Sequence, residues 1–436
     1  MTGKRIIGCA LSVFAMLSVQ AQQTVCLSID QLFRQVEDNS KQLRTQKTGV
    51  EIAGRGIEVA RSKRLPDINA TVTASYIGNA VITDRDFGHA QGFHSPHFGN
   101  SFSLEAQQVV YAGGAIDAGV RLAELGKLQA DAGVRLTRQQ ARFVALGQYL
   151  DLYKADNRVR VYEQNIRLTQ QLILDIKEKQ QQGMALRNDI TRYELQMESL
   201  KLGLATVQHT RSILNHQLCN TLGMDPATTI KPDTTVAAQQ LATEGERYWQ
   251  DVSRNESPLL EQSALRVRMA QERERITKSD LLPKVALVAA NSFNGPITFE
   301  LPPVDKNLNV WYLGVGVSYP ISSLFKSNKR VRQAAIETRQ MQENQAVQTE
   351  QVDNQVQQAY TLYEQAYVEW ETQQKRVELA RQNYGVMNAR YLSQLALVTD
   401  MVDASNLCLD AELQEVDARI GIVYAYYRVK YMAGKL

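Results

Sequence analysis

Two stretches of about 70 residues, from Gly113 to about Gly183 and from about Ser327 to Gln394, keep a helical pattern with no proline. At about 1.5 Å of rise per residue such a helix is about 100 Å long, far more than the core of a compact domain can cover. Each must therefore be packed along its length by neighbours. A seven-residue step shows where. Leu152, Val159, Ile166 and Ile173 recur at one position, with Ala155, Tyr162, Thr169 and Ile176 three residues on. In the second stretch Tyr363, Trp370, Val377, Tyr384 and Tyr391 keep the same step, with Ala366, Ala380 and Met387 beside them. Sustained heptads mean coiled-coil packing.

The two stretches belong to a tandem duplication. Leu65-Pro66 returns as Leu282-Pro283, an offset of 217 residues, and Ala185-Leu186-Arg187-Asn188-Asp189-Ile190 returns as Ala396-Leu397-Val398-Thr399-Asp400-Met401, an offset of 211. Two landmarks in the same order at nearly one spacing define an internal repeat. The division is a first repeat at 22–226, a linker or equatorial segment at 227–245 and a second repeat at 246–436, all after a segment at 1–21.

Each repeat has the same grammar. Residues 28–64 have helical periodicity with Ser28 as N-cap candidate, and Pro66 stops the helix because the residue before a proline is pushed into extended backbone. The period then changes to two. Ile68, Ala70, Val72, Ala74 and Tyr76 alternate with Asn69, Thr71, Thr73 and Ser75, the pattern of a strand with one apolar and one polar face. A Gly- and His-containing loop at 79–98 leads to a second alternating strand through Phe102, Leu104 and Ala106, so a strand hairpin spans 66–111. The second repeat has its hairpin at 284–320, where Trp311, Leu313, Val315, Val317 and Tyr319 alternate with Tyr312, Gly314, Gly316 and Ser318 around a Pro-rich loop at 294–309. Each long helix turns back into a shorter one, at about 188–222 and 399–433.

The expected fold class is mainly α with a small β part: a long coiled-coil α-barrel plus four strands per chain. Four strands cannot close a barrel, whereas three copies supply twelve, with apolar residues toward lipid and polar ones toward a lumen.

Composition excludes several other functions. The formal net charge is +3, with Lys/Arg and Asp/Glu interspersed, so no basic stripe offers itself to nucleic acid. Lys4 and Arg5, the apolar run from Ile6 to Val19 and the small-residue site at Val19-Gln20-Ala21 read as a cleavable secretory signal peptide. Almost no apolar segment precedes Cys9, and Thr24-Val25 ahead of Cys26 is not a lipobox, which argues against acylation. The remaining Cys26, Cys219 and Cys408 are odd in number and have no CxxC or Cys/His spacing, so neither a disulfide framework nor a metal site is expected. His89, His94 and His97 share one loop without partner ligands, and His209 and His216 decorate a helix. No phosphate loop, nucleophile elbow or HExxH occurs, so neither an enzyme nor a cofactor is expected.

In this order and spacing, the Leu65-Pro66 and Leu282-Pro283 junctions, the ending Leu222-Gly223-Met224-Asp225-Pro226 and the stretch Asp400-Met401-Val402-Asp403-Ala404 resemble the TolC family of outer-membrane efflux proteins. The resemblance covers essentially the whole chain after the signal segment. It implies a homotrimeric outer-membrane channel reaching into the periplasm, in contact with outer-membrane lipid. It also implies docking to a periplasmic adaptor, or membrane fusion, protein, which is fed by an inner-membrane transporter in a tripartite efflux or type I secretion system.

The helical tips that would meet the adaptor comprise Gly183, Met184, Ala185, Leu186 and Asp189, and Leu395, Ala396 and Leu397. The first turn keeps the family's glycine; the second, Ser393-Gln394-Leu395-Ala396-Leu397, lacks it. Asp400 and Asp403 fall where relatives carry the carboxylate ring of a periplasmic gate, which three chains would multiply to six carboxylates attractive to cations. The arginine that relatives place just before this site is Ala396 here. A helix-start role favoured by the dipole is the alternative for the two aspartates. At the level of the whole chain the alternative is a secreted coiled-coil scaffold or surface fibre, and the scarcity of charge in the strands favours the barrel.

Overall fold

The computed structural model describes residues 24–233, 241, 244–393 and 395–436. The expected signal peptide at 1–21 and most of 234–243 lie outside the described residues. In chain order the elements are β1 (Thr24–Leu27), α1 (Ile29–Asn39), α2 (Lys41–Ser62), β2 (Asp67–Tyr76), β3 (Ala80–Ile82), β4 (Gln91–Phe93), β5 (Phe98–Tyr111), α3 (Ala115–Gln181) and α4 (Arg187–Leu222). They continue with β6 (Thr229–Pro232), α5 (Glu246–Glu256), α6 (Pro258–Ser279), β7 (Lys284–Gly295), β8 (Leu308–Ser318), α7 (Ser323–Leu392) and α8 (Val398–Met432).

The two long helices form as the sequence requires, at 67 and 70 residues. The first heptad seam is the buried stripe of α3: Leu152, Ala155, Ile173 and Ile176 are buried, and Val159, Tyr162 and Ile166 half-buried. On α7 the seam is buried at Tyr363 and half-buried from Ala366 through Trp370, Val377, Ala380, Tyr384 and Met387 to Tyr391.

The opening helix expected over 28–64 is two helices. Ser28 starts α1 with a capping box, its hydroxyl accepting from the Gln31 N–H while the Gln31 side chain accepts from the Ser28 N–H. Ser40 then leaves helical backbone at φ −62° and ψ 116° before α2 begins. The second repeat breaks at the same place: Ser257, at φ −67° and ψ 115°, separates α5 from α6. There Pro258 forces the break; at Ser40 no proline announces it.

The chain divides into two compact units that do not follow the repeats. One comprises the chain up to Ser40, Ala141–Thr243 and Tyr360–Arg428. In it, β1 and β6 form a two-stranded parallel sheet whose anchor is Tyr149, fully buried on α3. The Tyr149 hydroxyl donates to the Leu27 carbonyl at 2.7 Å and accepts from the Asp233 N–H at 2.9 Å, and burial pushes its pKa up. Gly223 ends α4 at φ +66°, where a Cβ would also sit 2.9 Å from the Asn39 side chain, so both conformation and space demand glycine.

The second unit comprises Lys41–Gln140, Glu244–Ala359 and Val429–Leu436. Its centre is a four-stranded antiparallel sheet in the order β2-β5-β7-β8. The register aligns the alternation across all four strands. Ile68, Ala106, Ala289 and Leu313 lie in one row, and Ala70, Leu104, Asn291 and Trp311 in the next on the same face. The rows between them are polar at their β2 end: Thr71, Ser103, Ser292 and Val310 in one, Thr73, Ser101, Asn294 and Leu308 in another. Within this face Ser101 donates to Asn294 at 2.6 Å. The loop at 79–98 contains a small hairpin of its own, β3 with β4. It is held by His97 against the Ile77 carbonyl at 2.8 Å and by the Ser95 N–H donating to the Asn79 side chain at 3.2 Å.

Candidate functional site: the helical tips and the open sheet

The first helical turn is built by its own backbone. The Met184 N–H reaches the Lys179 carbonyl at 2.8 Å, and Gly183 takes φ +75° between them, a Schellman closure that demands a left-handed residue. No atom lies within 4 Å of a Cβ built on Gly183, so conformation and not space selects glycine. The second turn closes with the equivalent bond, the Leu395 N–H on the Arg390 carbonyl at 2.8 Å. Gln394, the residue between them, lies outside the described residues.

Both turns then start a helix in the same way. The Leu186 N–H donates to Asp189 at 3.0 Å, and the Leu397 N–H donates to Asp400 at 3.0 Å. Each aspartate sits in the first turn of its helix, where its charge also complements the helix dipole. Asp400 thus has a folding role that its counterpart Asp189 shares. Asp403 has none: it is exposed one turn further along α8 and has no ion pair among the described residues. Met184, Leu186, Leu395 and Leu397 project apolar side chains at 50–71% exposure, while Ala185 and Ala396 are partly buried.

Beneath the turns a cluster of buried side chains joins three helices: Ile173 and Ile176 of α3, Ile190, Tyr193 and Met197 of α4, and Val398 and Met401 of α8. Tyr384, Met387 and Tyr391 of α7 pack against it. Tyr193 is almost fully buried, and that burial pushes its hydroxyl pKa up. Lys179 stands over the Tyr391 ring at 5.4 Å, and Lys177 pairs with Glu194 at 3.2 Å.

Further along, polar ties that the sequence does not announce bind α8 to its neighbours. Glu412 accepts from Arg381 of α7 at 2.9 Å and from Asn165 of α3 at 3.4 Å. The bond to Glu412 is the main reason the Arg381 pKa is raised. Arg158 of α3 pairs with Asp417, and Arg376 of α7 with Asp410 at 3.3 Å. Side chains 165 and 412 are 247 positions apart, and only packing reveals them.

The sheet is the second functional feature. Val72, Tyr76, Trp311, Leu313 and Val317 are 68–79% exposed, on one face of a sheet whose outer strands, β2 and β8, each have a partner on one side only. A water-exposed apolar face of this extent marks contact with lipid or protein, and unpaired strand edges mark strand addition. No helix among the described residues is long and apolar enough to cross a membrane. Cys26, Cys219 and Cys408 are free, and no group of side chains that could hold a metal occurs among the described residues.

An antiparallel sheet of this register, inserted between long helices that end in capped turns, is the fold of outer-membrane channel proteins. The family model for outer membrane efflux proteins matches residues 249–434. That match lies within the second repeat and covers fewer than half of the 436 residues.

Solved structures agree on the fold. VceC from Vibrio cholerae is 14% identical, with 93% of this chain and 96% of that chain covered at a TM-score of 0.75. The channel protein CusC is 14% identical, with 93% and 91% covered at a TM-score of 0.79. The outer-membrane channel MtrE of Neisseria gonorrhoeae, solved in its open state, is 14% identical, with 93% and 88% covered at a TM-score of 0.72. A comparison of the sequence with curated proteins finds no match.

Proposed function

We propose that the chain is the outer-membrane channel subunit of a tripartite efflux or type I secretion system, a passive exit duct whose energy comes from its partners. The observation that carries this reading is the open sheet, with one exposed apolar face and two free edges. Three copies pairing β8 of one with β2 of the next make a closed barrel of twelve strands, which removes every edge and gives the apolar face to lipid. A scaffold or fibre would bury that face within its own head domain, and among the described residues nothing in the second unit covers it.

In this reading an N-terminal signal at 1–21 sends the chain across the inner membrane, and the capped turns meet a periplasmic adaptor linked to an inner-membrane transporter. Gly183 to Leu186 with Asp189, and Leu395 to Leu397, are the contact residues, and the four exposed apolar side chains there are the knobs a partner would bury. The gate carboxylates are Asp400 and Asp403. Because Asp400 already caps α8, Asp403 is the sharper candidate for a cation-attracting ring. In this reading the chain is a channel subunit and not an enzyme.

The test is purification in mild detergent followed by planar-bilayer recording. A trimer by light scattering with discrete ion conductance supports the reading; a soluble or monomeric, non-conducting species overturns it.

A further inference from the structure

The helix-to-strand junctions of the unit that carries the sheet are cationic. Arg61, Lys63 and Arg64 stand before β2, Lys278 and Lys284 flank the entry to β7, and Lys326, Lys329, Arg330 and Arg332 crowd the start of α7 after β8; all are exposed. Carboxylates answer only some of them. Glu124 holds Arg61 at 2.8 Å, Asp117 holds Arg64 at 2.6 Å, Glu274 holds Lys278 at 2.8 Å, and Asp280 lies 3.6 Å from Arg330 and 3.9 Å from Lys284. Lys63, Lys326, Lys329 and Arg332 have no ion pair among the described residues. The opposite end of the sheet has the other sign: the turns after β2 and β7 carry Asp84, Asp86, Glu300 and Asp305 against Arg85 and Lys306.

Two further features bear on the cations. Neither α7 nor α2 has an acidic residue in its first turn, whereas α1, α3, α4, α5, α6 and α8 each have one. Lys326, in the first turn of α7, opposes the helix dipole, so folding does not account for it. The cations also adjoin the apolar band directly. Val317, Ile321 and Phe325, at 63–70% exposure, lead into Lys326, and Leu65 and Ile68, each at 64%, follow Arg64.

We propose that this collar binds the phosphodiester headgroups of anionic phospholipids in the leaflet nearest the helices, with Lys63, Lys326, Lys329 and Arg332 as its free contacts. The proposal rests on the channel reading, which puts the apolar band among acyl chains. A cation just beyond that band then lies at headgroup depth, where long side chains reach phosphate while their stems stay in the apolar layer. The acid-rich opposite end would not select anionic lipid, so the preference is one-sided.

The test uses the full-length protein reconstituted into phosphatidylcholine vesicles, with conductance recorded first and lipid association then read by electron spin resonance of spin-labelled phosphatidylglycerol against spin-labelled phosphatidylcholine. The wild type is expected to prefer phosphatidylglycerol several-fold, and the preference to vanish at about 1 M salt, where screening acts within about 3 Å. The combined variant Lys63→Gln, Lys326→Gln, Lys329→Gln and Arg332→Gln should lose most of the preference. Lys63→Arg with Lys326→Arg and Lys329→Arg should keep it, as should Arg85→Gln with Lys306→Gln at the other end of the sheet. A conducting wild type with no preference, or a glutamine variant with the preference intact, overturns the collar alone. A protein that neither inserts nor conducts overturns the channel reading and the collar with it.

Discussion

The two helical turns, 183–190 and 394–401, share their backbone machinery and differ in what they display. Both close with an N–H bonded five residues back, and both start the next helix on an aspartate carboxylate three residues after the N–H it accepts from. One turn further on, the first repeat has exposed Arg192 where the second, 211 positions later, has exposed Asp403. What the repeats keep in common is what a helical turn needs to fold; where they diverge, folding makes no demand. Asp400 therefore belongs first to the fold, and Asp403 is the residue on which the proposed gate rests.

That division can be broken most forcefully in the shared core. Met401→Ala or Ile176→Ala deletes a fully buried side chain from the cluster under the turns and is expected to cost about 2–5 kcal/mol, read as a marked drop in the melting temperature of the purified protein. An unchanged melting temperature would mean that the cluster does not hold the turns. Gly183→Val comes next, since a β-branched residue is strained at φ +75°; a loss of more than about 1 kcal/mol is expected. Replacement of Gln394 by glycine should be neutral or stabilising if the second turn has the same closure, and destabilisation would show that the two turns differ.

Asp189→Ala and Asp400→Ala should each lower stability by about 1 kcal/mol, and by similar amounts, because each removes the same cap. Asp403→Ala should leave stability unchanged and yet weaken divalent-cation block in planar bilayers. The Asp400→Ala and Asp403→Ala double variant should weaken it further, and unchanged block in that variant removes the gate assignment. Smallest of all is the effect of Arg192→Ala, for which neither stability nor block should move.

The legible parts of this molecule are the periodic ones. The heptad seams, the two alternating strand pairs and the Leu-Pro junctions repeat a local rule over many residues, and each appears as an element within a few positions of its expected ends. The aspartate at each turn was visible through the duplication, although its hydrogen bond to the preceding turn was not. What the sequence concealed depends on distance or on a single residue's backbone. The break at Ser40 has no proline, whereas its twin at Ser257 does. The β1–β6 pair joins two four-residue segments about 200 positions apart. The Glu412 tie and the anchoring of Asp233 by Tyr149 arise from three-dimensional neighbours that no spacing encodes.

The central claim is that β2 and β8 are open edges that close on other copies of the chain. In a background with Cys26, Cys219 and Cys408 replaced by serine, single cysteines at 70, 72 or 74 on β2 are combined with cysteines at 311, 313 or 315 on β8, all on the apolar face, and oxidised in native membranes. Closure of three copies predicts that at least one pair yields a cross-linked ladder that stops at the trimer. A ladder that continues past three copies, or no intermolecular cross-link from any pair, contradicts it.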